Sequence, residues 1–130
     1  MNKADYAASL KSRMNCCQAV LLAFADELRT APETLMKLGS AFGSGMATTG
    51  GTCGALVGAE MVLGLLGKQP VRAGAGTLFR EFEQQCGATL CRDLKGIGTG
   101  KVLCSCEDCV RNAAAIAEQI LGLNNTNGGF

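Results

Sequence analysis

Hydrophobic positions along the chain recur at the three- and four-residue spacing of amphipathic helices. No stretch of useful length alternates apolar and polar residues with the period of two that is typical of strands, and no internal repeat occurs. The pattern therefore predicts an all-α fold, a compact bundle of about five to six helices. The predicted elements are helices over 5–11, 16–28, 32–42, 53–66, 70–86 and 106–121, with a short turn over 91–94.

Local signals mark several helix starts. Asn15, with Gln18 three residues later, forms the pattern of a capping box. Thr52 and Ser105 are also residue types that cap helix N-termini. A glycine-rich loop over 43–51 precedes the central helix, and we expect it to act as a flexible link.

Small residues form a stripe on the central helix, where Gly54 and Gly58 lie four residues apart. Glycine lowers helix propensity, so its presence here needs a reason. Close packing of a neighbouring backbone is the simpler reason. Room for a cofactor beside Cys53 is the other, which makes Gly54 and Gly58 candidate cofactor-binding positions.

The length and composition indicate a single globular domain. The chain has 130 residues, of which 48% are hydrophobic and 18% charged. We assign 1–123 to one all-α, cysteine-rich domain and 124–130 to a flexible tail. The net charge of +1, the lack of a basic block and the scarcity of aromatic residues argue against nucleic acid as a partner.

No segment has the features of a membrane anchor or a secretory signal. The longest apolar stretch, 53–67, is interrupted by Glu60 and is too short to span a bilayer. The N-terminus lacks the apolar region of a signal peptide. We therefore expect a cytoplasmic protein that has no membrane partner.

The chain is rich in cysteine. Eight cysteines in a reducing compartment favour metal ligation or redox chemistry over structural disulfides. The chain has no histidine, so we expect neither haem attachment through Cys-x-x-Cys-His nor Cys–His catalysis. The glycine-rich loop lacks the lysine of a phosphate-binding P-loop, so we expect no nucleotide.

Three cysteines directly follow a capping residue and begin an apolar helical stretch. These are Cys16 after Asn15, Cys53 after Thr52, and Cys106 after Ser105. Free backbone N–H groups and the positive end of the helix dipole favour a thiolate at such a position. We therefore expect the pKa of Cys53 in particular to be lowered.

Four ordered motifs in the chain resemble those of the C_GCAxxG_C_C family. The motifs are Asn15-Cys-Cys-Gln-Ala-Val20, Gly51-Thr-Cys-Gly-Ala-Leu-Val-Gly58, Cys91-Arg-Asp-Leu94 and Cys106-Glu-Asp-Cys-Val110. The resemblance extends over most of the chain and implies a redox-active protein with an oxidoreductase as its partner. It implies four characteristic cysteines, which are Cys16, Cys53, Cys91 and Cys106.

Four further cysteines depart from that pattern and are additional candidate site residues. Cys109 lies directly before Val110 and competes with Cys106 for the fourth position, and Cys104 lies close by. Cys17 and Cys86 are explained equally well as small buried hydrophobic residues. The sequence therefore leaves open whether the chain has one sulfur site or two.

Three chemistries suit four cysteines that come from four separate segments. An iron–sulfur cluster takes four thiolates, and N–H groups at helix starts tune its potential. A dithiol/disulfide pair fits Cys106-x-x-Cys109 at a helix start. A structural zinc also takes four thiolates but usually draws them from two close pairs.

We predict a small redox protein in which Cys16, Cys53, Cys91 and Cys106 converge on one site. That site either binds an iron–sulfur cluster or cycles between dithiol and disulfide in electron transfer. The alternative is a non-redox domain with a structural zinc held by four cysteines. Whether the chain is an enzyme or a homodimer stays open.

Overall fold

The computed structural model describes residues 1–67 and 70–123, and helices dominate both ranges. The one β-pairing within these ranges is an isolated antiparallel bridge between Thr52 and Leu90. The predicted all-α fold is confirmed. The predicted tail over 124–130 lies outside the described residues, and the division into one domain and a tail stays a prediction. The helical segments in chain order are α1 (Lys3–Leu10), α2 (Cys16–Ala23), α3 (Ala25–Leu28), α4 (Pro32–Gly39), α5 (Gly43–Met46), α6 (Gly54–Leu66), α7 (Val71–Cys86), α8 (Cys91–Lys95) and α9 (Cys106–Leu121).

Helix α6 lies at the centre and packs against α2, α7 and α9. Its Leu56 and Val62 side chains are fully buried in the core. A Cβ atom added to Gly54 would lie 2.6 Å from the carbonyl oxygen of Phe42, and one added to Gly58 would lie 2.9 Å from that of Cys17. Both glycines therefore have a packing reason, and their contact with a cofactor stays a prediction.

The second predicted helix, over 16–28, is two segments in the structure. Phe24 leaves the helical conformation (φ −103°, ψ 14°) between α2 and α3, and its ring is completely buried. The chain then ends α3 with Arg29 in the left-handed region (φ 52°). The break turns the chain at Phe24 and seats its ring in the core, which outweighs the local helical pattern.

The third helix ends at Gly39 rather than near Phe42. The Asn15 side chain supplies the reason, because its amide donates hydrogen bonds to the carbonyl oxygens of Gly39 (3.2 Å) and Ser40 (3.3 Å). These bonds join the end of α4 to the start of α2, and the Gly39 carbonyl oxygen also accepts from the N–H of Phe42 at 3.2 Å in the tight turn that follows the helix.

Two of the three predicted capping residues act as caps. Asn15 accepts from the N–H of Gln18 while the Gln18 side chain accepts from the N–H of Asn15, which confirms the capping box. The Ser105 hydroxyl accepts from the N–H of Asp108 at the start of α9. The prediction for Thr52 is wrong: Cys53 itself is the N-cap of α6, because Thr52 is held in the bridge to Leu90.

The glycine-rich loop contains a left-handed turn where we expected a flexible link. Ser44 (φ 53°, ψ 42°) and Gly45 (φ 64°, ψ 55°) lie in the left-handed region, and Met46 and Ala47 follow them there. The N–H of Ala47 donates to the carbonyl oxygen of Gly43 at 2.8 Å, which closes the turn. Left-handed conformation costs energy at residues other than glycine, so this loop stores local strain.

None of the helices in the described ranges combines the length and apolar character that crossing a bilayer requires.

Candidate cysteine site

Backbone pairing between two loop segments brings the starts of α6 and α8 together. The N–H of Cys53 donates to the carbonyl oxygen of Thr89 at 2.8 Å, and the N–H of Cys91 donates to that of Gly51 at 3.0 Å. These bonds flank the Thr52–Leu90 bridge. Two cysteines far apart in the sequence therefore lie at one short, paired segment.

The left-handed turn α5 packs directly against this segment. A Cβ atom added to Gly45 would overlap the Cβ of Cys91 and would lie 3.3 Å from its Sγ. The backbone N–H of Ser44 donates a hydrogen bond to the Cys16 sulfur atom. The turn therefore contacts two of the predicted site cysteines, and Gly45 has neither the space nor the φ angle (+64°) for a side chain.

One small pocket collects the four predicted site cysteines. Each lies at the start of a different helix: Cys16, Cys91 and Cys106 are the first residues of α2, α8 and α9, and Cys53 is the N-cap of α6. Four helix N-termini therefore face one pocket, and each favours negative charge there. The pocket is lined by Cys16, Cys53, Cys91, Leu94, Lys95, Cys104, Cys106 and Cys109.

A second, tighter group of sulfur atoms lies beside the pocket. It consists of the sulfur atoms of Cys86, Cys104 and Cys109, which all lie within 4.8 Å of one another. Among the described residues, this is the group of possible metal ligands that lie so close together. We call these residues the three-thiol group. Cys86 ends α7, Cys104 lies in the loop before α9, and Cys109 lies in the first turn of α9.

The Cys109 thiol connects the two groups. It donates to the sulfur atoms of Cys53 and Cys86, which lowers the pKa of both and raises its own. A thiol has one proton, so at any one time Cys109 donates to one of these two sulfur atoms or to the carbonyl oxygen of Cys104, 3.8 Å away. Burial opposes the lowering of the Cys53 pKa, and the N–H groups of Leu56 and Ala55 support it. The lowered pKa expected for Cys53 is therefore found, with a neighbouring thiol as its main cause.

Burial dominates at most of the other cysteines. It raises the pKa of Cys16 and Cys91, and it raises the pKa of Cys104 to about 11. Cys17 is completely buried, and burial raises its pKa to about 12. Cys17 therefore behaves as the small hydrophobic core residue that the sequence allowed.

Lys95 supplies a positive charge to the pocket and was not among the site residues predicted from the sequence. Burial alone would lower its pKa, but electrostatic attraction to the neighbouring Cys106, Cys91 and Cys16 sulfur atoms, when these are deprotonated, outweighs burial and raises it. Lys95 also shares a side-chain hydrogen bond with Cys91, which lies one helical turn before it. The i,i+4 spacing from Cys91 is the signal that identifies this residue.

A family comparison agrees with this arrangement. The sequence model of the family described as "Putative redox-active protein (C_GCAxxG_C_C)" matches residues 14–120. The chain belongs to the C_GCAxxG_C_C family. No curated protein and no solved structure matches the chain. The matched region of this C_GCAxxG_C_C protein includes all eight cysteines, all of which are free.

The sequence named the members of the three-thiol group as candidates but did not group them. Each lies close to a family cysteine: Cys86 precedes Cys91 by five residues, and Cys104 precedes Cys106 by two. Elements that bring the family cysteines together therefore bring these residues along. Both Cys106 and Cys109 line the pocket, so the choice between them as the fourth family position stays a prediction.

Proposed function

We propose that this C_GCAxxG_C_C protein is a small redox protein that holds an iron–sulfur cluster with Cys16, Cys53, Cys91 and Cys106. The observation that carries the proposal is that these four cysteines, each from a different helix start, line one pocket. Four thiolates are the usual ligand set of such clusters, which supply one-electron transfer when bound.

Spacing favours a cluster over a single ion at these four residues. Zinc–sulfur bonds of about 2.3 Å at tetrahedral angles place ligand sulfur atoms about 3.8 Å apart. Among the described residues, the sulfur atoms that lie within 4.8 Å of one another are those of Cys86, Cys104 and Cys109, and none of these is one of the four proposed cluster ligands. A cluster has several metal and sulfide atoms between its ligands and therefore takes a wider set of thiolates. The helix starts would have to move apart to admit one, because the cavity between them is about 10 Å³.

The polar groups of the pocket suit an anionic cluster. Lys95 supplies a positive charge, and the four helix N-termini add partial positive charge. The Ser44 N–H donates to Cys16, and the N–H groups of Ala55 and Leu56 donate to Cys53. Hydrogen bonds to ligand sulfur atoms are one of the factors that set cluster potentials.

One observation favours dithiol/disulfide cycling as a second candidate function. The Cys109 thiol donates a hydrogen bond to Cys53, so a thiol and a sulfur atom of lowered pKa are in contact. Thiol–disulfide exchange needs such a pair. Joining the two sulfur atoms would release two protons and two electrons to an oxidised partner protein.

We propose that the partner, an oxidoreductase, docks at the edge of the pocket formed by Cys104 and Cys106. Both residues are half-exposed, whereas the other six cysteines are buried. Val102 and Leu103 lie beside them with 62% and 45% of their surface exposed, which gives this edge apolar contact area. A reducing cytoplasm is the compartment that suits eight free thiols.

The first prediction tests the cluster through Cys53. Protein purified without oxygen should contain iron and acid-labile sulfide, and Cys53→Ser should abolish both with little change in helical circular dichroism, because the substitution is nearly isosteric. Cys17→Ala is the matched control: Cys17 does not line the pocket, and alanine places no hydroxyl in the core. The control should keep the iron and sulfide of the wild type.

Other results of the same analysis would decide against the cluster. Dithiol chemistry would be favoured if wild-type protein has intact thiols and no iron, and if mild oxidation then forms a disulfide that involves Cys53. Stoichiometric zinc in place of iron and sulfide at the family cysteines would favour the structural alternative. Equal iron loss in the Cys53 and Cys17 variants would contradict the assignment of Cys53.

A further inference from the structure

We propose that the three-thiol group is a separate binding site for one soft metal ion, of the class of Zn²⁺ or Cu⁺. Its sulfur atoms all lie within 4.8 Å of one another, and a single ion with bonds of about 2.3 Å needs them about 3.8 Å apart. Each sulfur therefore has to move by less than about 1 Å to reach an ion between them. Thiolates select soft ions over hard ones such as Mg²⁺ or Ca²⁺.

Local hydrogen bonds hold the three thiols in place. The N–H groups of Leu103 and Cys104 both donate to the carbonyl oxygen of Leu94, at 3.0 Å and 3.3 Å, which fixes the loop before α9. The Cys109 Sγ lies 3.8 Å from the carbonyl oxygen of Cys104, which is one of the three acceptors within reach of its single proton. The ligands thus come from a fixed loop and from helix ends rather than from mobile segments.

Cys86 is positioned from both sides. Helix α7 ends directly after it, because Gly87 adopts the left-handed conformation of a helix C-cap (φ 97°). The Asn112 side-chain amide, on α9, donates a hydrogen bond to the Cys86 Sγ at 3.4 Å. Asn112 lies one turn after Cys109 and therefore acts as an outer partner that orients a ligand sulfur.

The site has an access route and a simple proton balance. Cys104 is half-exposed while Cys86 and Cys109 are buried, so the ion enters past Cys104. Three neutral thiols that bind Zn²⁺ release three protons and leave a complex of charge −1. No electron is transferred, and the proposal needs no iron at the family cysteines.

The second prediction tests this site apart from the proposed cluster. We use the full chain with Cys16→Ser and Cys91→Ser, which removes two proposed cluster ligands and leaves the three-thiol group intact. Reduced, metal-free protein of this kind should bind one equivalent of Zn²⁺, and Co²⁺ as a probe should give sulfur-to-metal charge-transfer absorption. Adding Cys104→Ser should weaken Zn²⁺ binding at least about 100-fold, since it deletes one of three ligands.

Cys106→Ser in the same background is the matched control. Cys106 is also half-exposed and lies two residues from Cys104, but it is not in the three-thiol group. It should leave Zn²⁺ affinity and the Co²⁺ spectrum unchanged. Equal effects of the two substitutions, or no Zn²⁺ bound in the background chain while its circular dichroism is native, would overturn the proposal.

Single substitution in the otherwise unchanged chain separates this proposal from the cluster. Cys104→Ser should lose one equivalent of Zn²⁺ and keep the wild-type content of iron and sulfide. If it loses the iron and sulfide and keeps the Zn²⁺, the three-thiol proposal fails and the cluster depends on Cys104. If wild-type protein binds Zn²⁺ at the three-thiol group but never iron, the cluster proposal fails and this one stands.

Discussion

Glu60 places an ionisable group in the most apolar helix of the chain. It is half-buried on α6, and burial raises its pKa from 4.5 to about 7. The folded protein therefore binds a proton at Glu60 that the unfolded chain has already released between about pH 4.5 and pH 7. By linkage, the folded state is favoured by this group at low pH, and that contribution is lost as the pH rises through the folded-state pKa.

The third prediction is that Glu60→Gln stabilises the protein above pH 7. Glutamine keeps the shape of the protonated carboxyl group but cannot ionise, so the loss of folding stability with rising pH at this position disappears. The free energy of unfolding of the variant should exceed that of the wild type by about 1–2 kcal/mol at pH 8 and match it near pH 4. Urea titrations of both proteins across this pH range measure the difference.

Glu83→Gln is the control for this measurement, because Glu83 is exposed on α7. Its unfolding free energy should follow the wild-type curve at every pH. The prediction fails if Glu60→Gln and Glu83→Gln give parallel curves. The three proteins contain the same cysteines. Differences in unfolding free energy between them at the same pH are therefore free of the contribution from cysteine titration.

At the scale of elements, the left-handed turn α5 is the part of the fold that positions the site. It contacts Cys16 through the Ser44 N–H and Cys91 through Gly45. Three non-glycine residues in the left-handed region, Ser44, Met46 and Ala47, each cost energy that the surrounding contacts must offset. Such strain is retained where the surrounding structure fixes a functional arrangement.

The fourth prediction is that Gly45→Ala disrupts the cysteine site. The added methyl group would overlap Cys91 Cβ, lie 3.0 Å from the carbonyl oxygen of Gly51 and need a strained φ of +64°. We expect a loss of at least about 1 kcal/mol in unfolding free energy and a several-fold loss of bound iron. Chemical denaturation and iron analysis of protein purified without oxygen measure the two effects.

Gly50→Ala is a matched control within the same loop. The nearest atom to a Cβ at Gly50 is the Thr48 Oγ1 at 3.5 Å, an ordinary contact, and its φ is not in the left-handed region. Iron content and stability should stay close to those of the wild type. Equal damage from both substitutions would mean that the loop as a whole, rather than the contact with Cys91, is sensitive.

The sequence predicted those parts of the fold that depend on near neighbours. Asn15 with Gln18, and Ser105 with Asp108, cap helices within three residues, and both caps are present. The left-handed turn was not predictable, because its strain is balanced by contacts with Cys91, more than forty residues away. The predicted cap at Thr52 is wrong for the same reason, because the pairing of Thr52 with Leu90 is a long-range contact.

The same division applies to the cysteine site. The family resemblance gave Cys16, Cys53, Cys91 and Cys106 as candidate site residues, and all four line the pocket. The short distances among Cys86, Cys104 and Cys109 depend on how the end of α7 meets the start of α9. No local sequence pattern predicts this contact between α7 and α9. The sequence therefore gives the three cysteines as candidates but does not show that they lie together.

At the scale of the whole molecule, apolar packing joins the central helices in one core. The core joins α2, α6, α7 and α9 through fully buried side chains, which include Val20, Leu56, Leu78, Phe82 and Val110. A chain of 130 residues buries roughly two thirds of its unfolded surface, enough for a stable single core. We therefore expect a bound group at the cysteines to add stability to a fold that this core already holds together.

The fifth prediction follows for removal of the metal. A chelator added to loaded wild-type protein should lower the Tm by about 5–15 °C, since a tightly bound group contributes a few kcal/mol through mass action. Helical circular dichroism at 25 °C should stay native, because the buried core is apolar. The thermal melt and the spectrum of the same sample test both parts.

Cys53→Ser protein treated in the same way is the control, and its Tm should fall less than that of the wild type because it has no cluster to lose. A domain whose zinc acts as a folding staple behaves differently, since it unfolds when the metal is removed. Loss of helical signal on chelation, in protein with reduced thiols, would therefore contradict the redox proposal at the level of the whole fold. It would favour the structural-zinc alternative that the cysteine count alone allows.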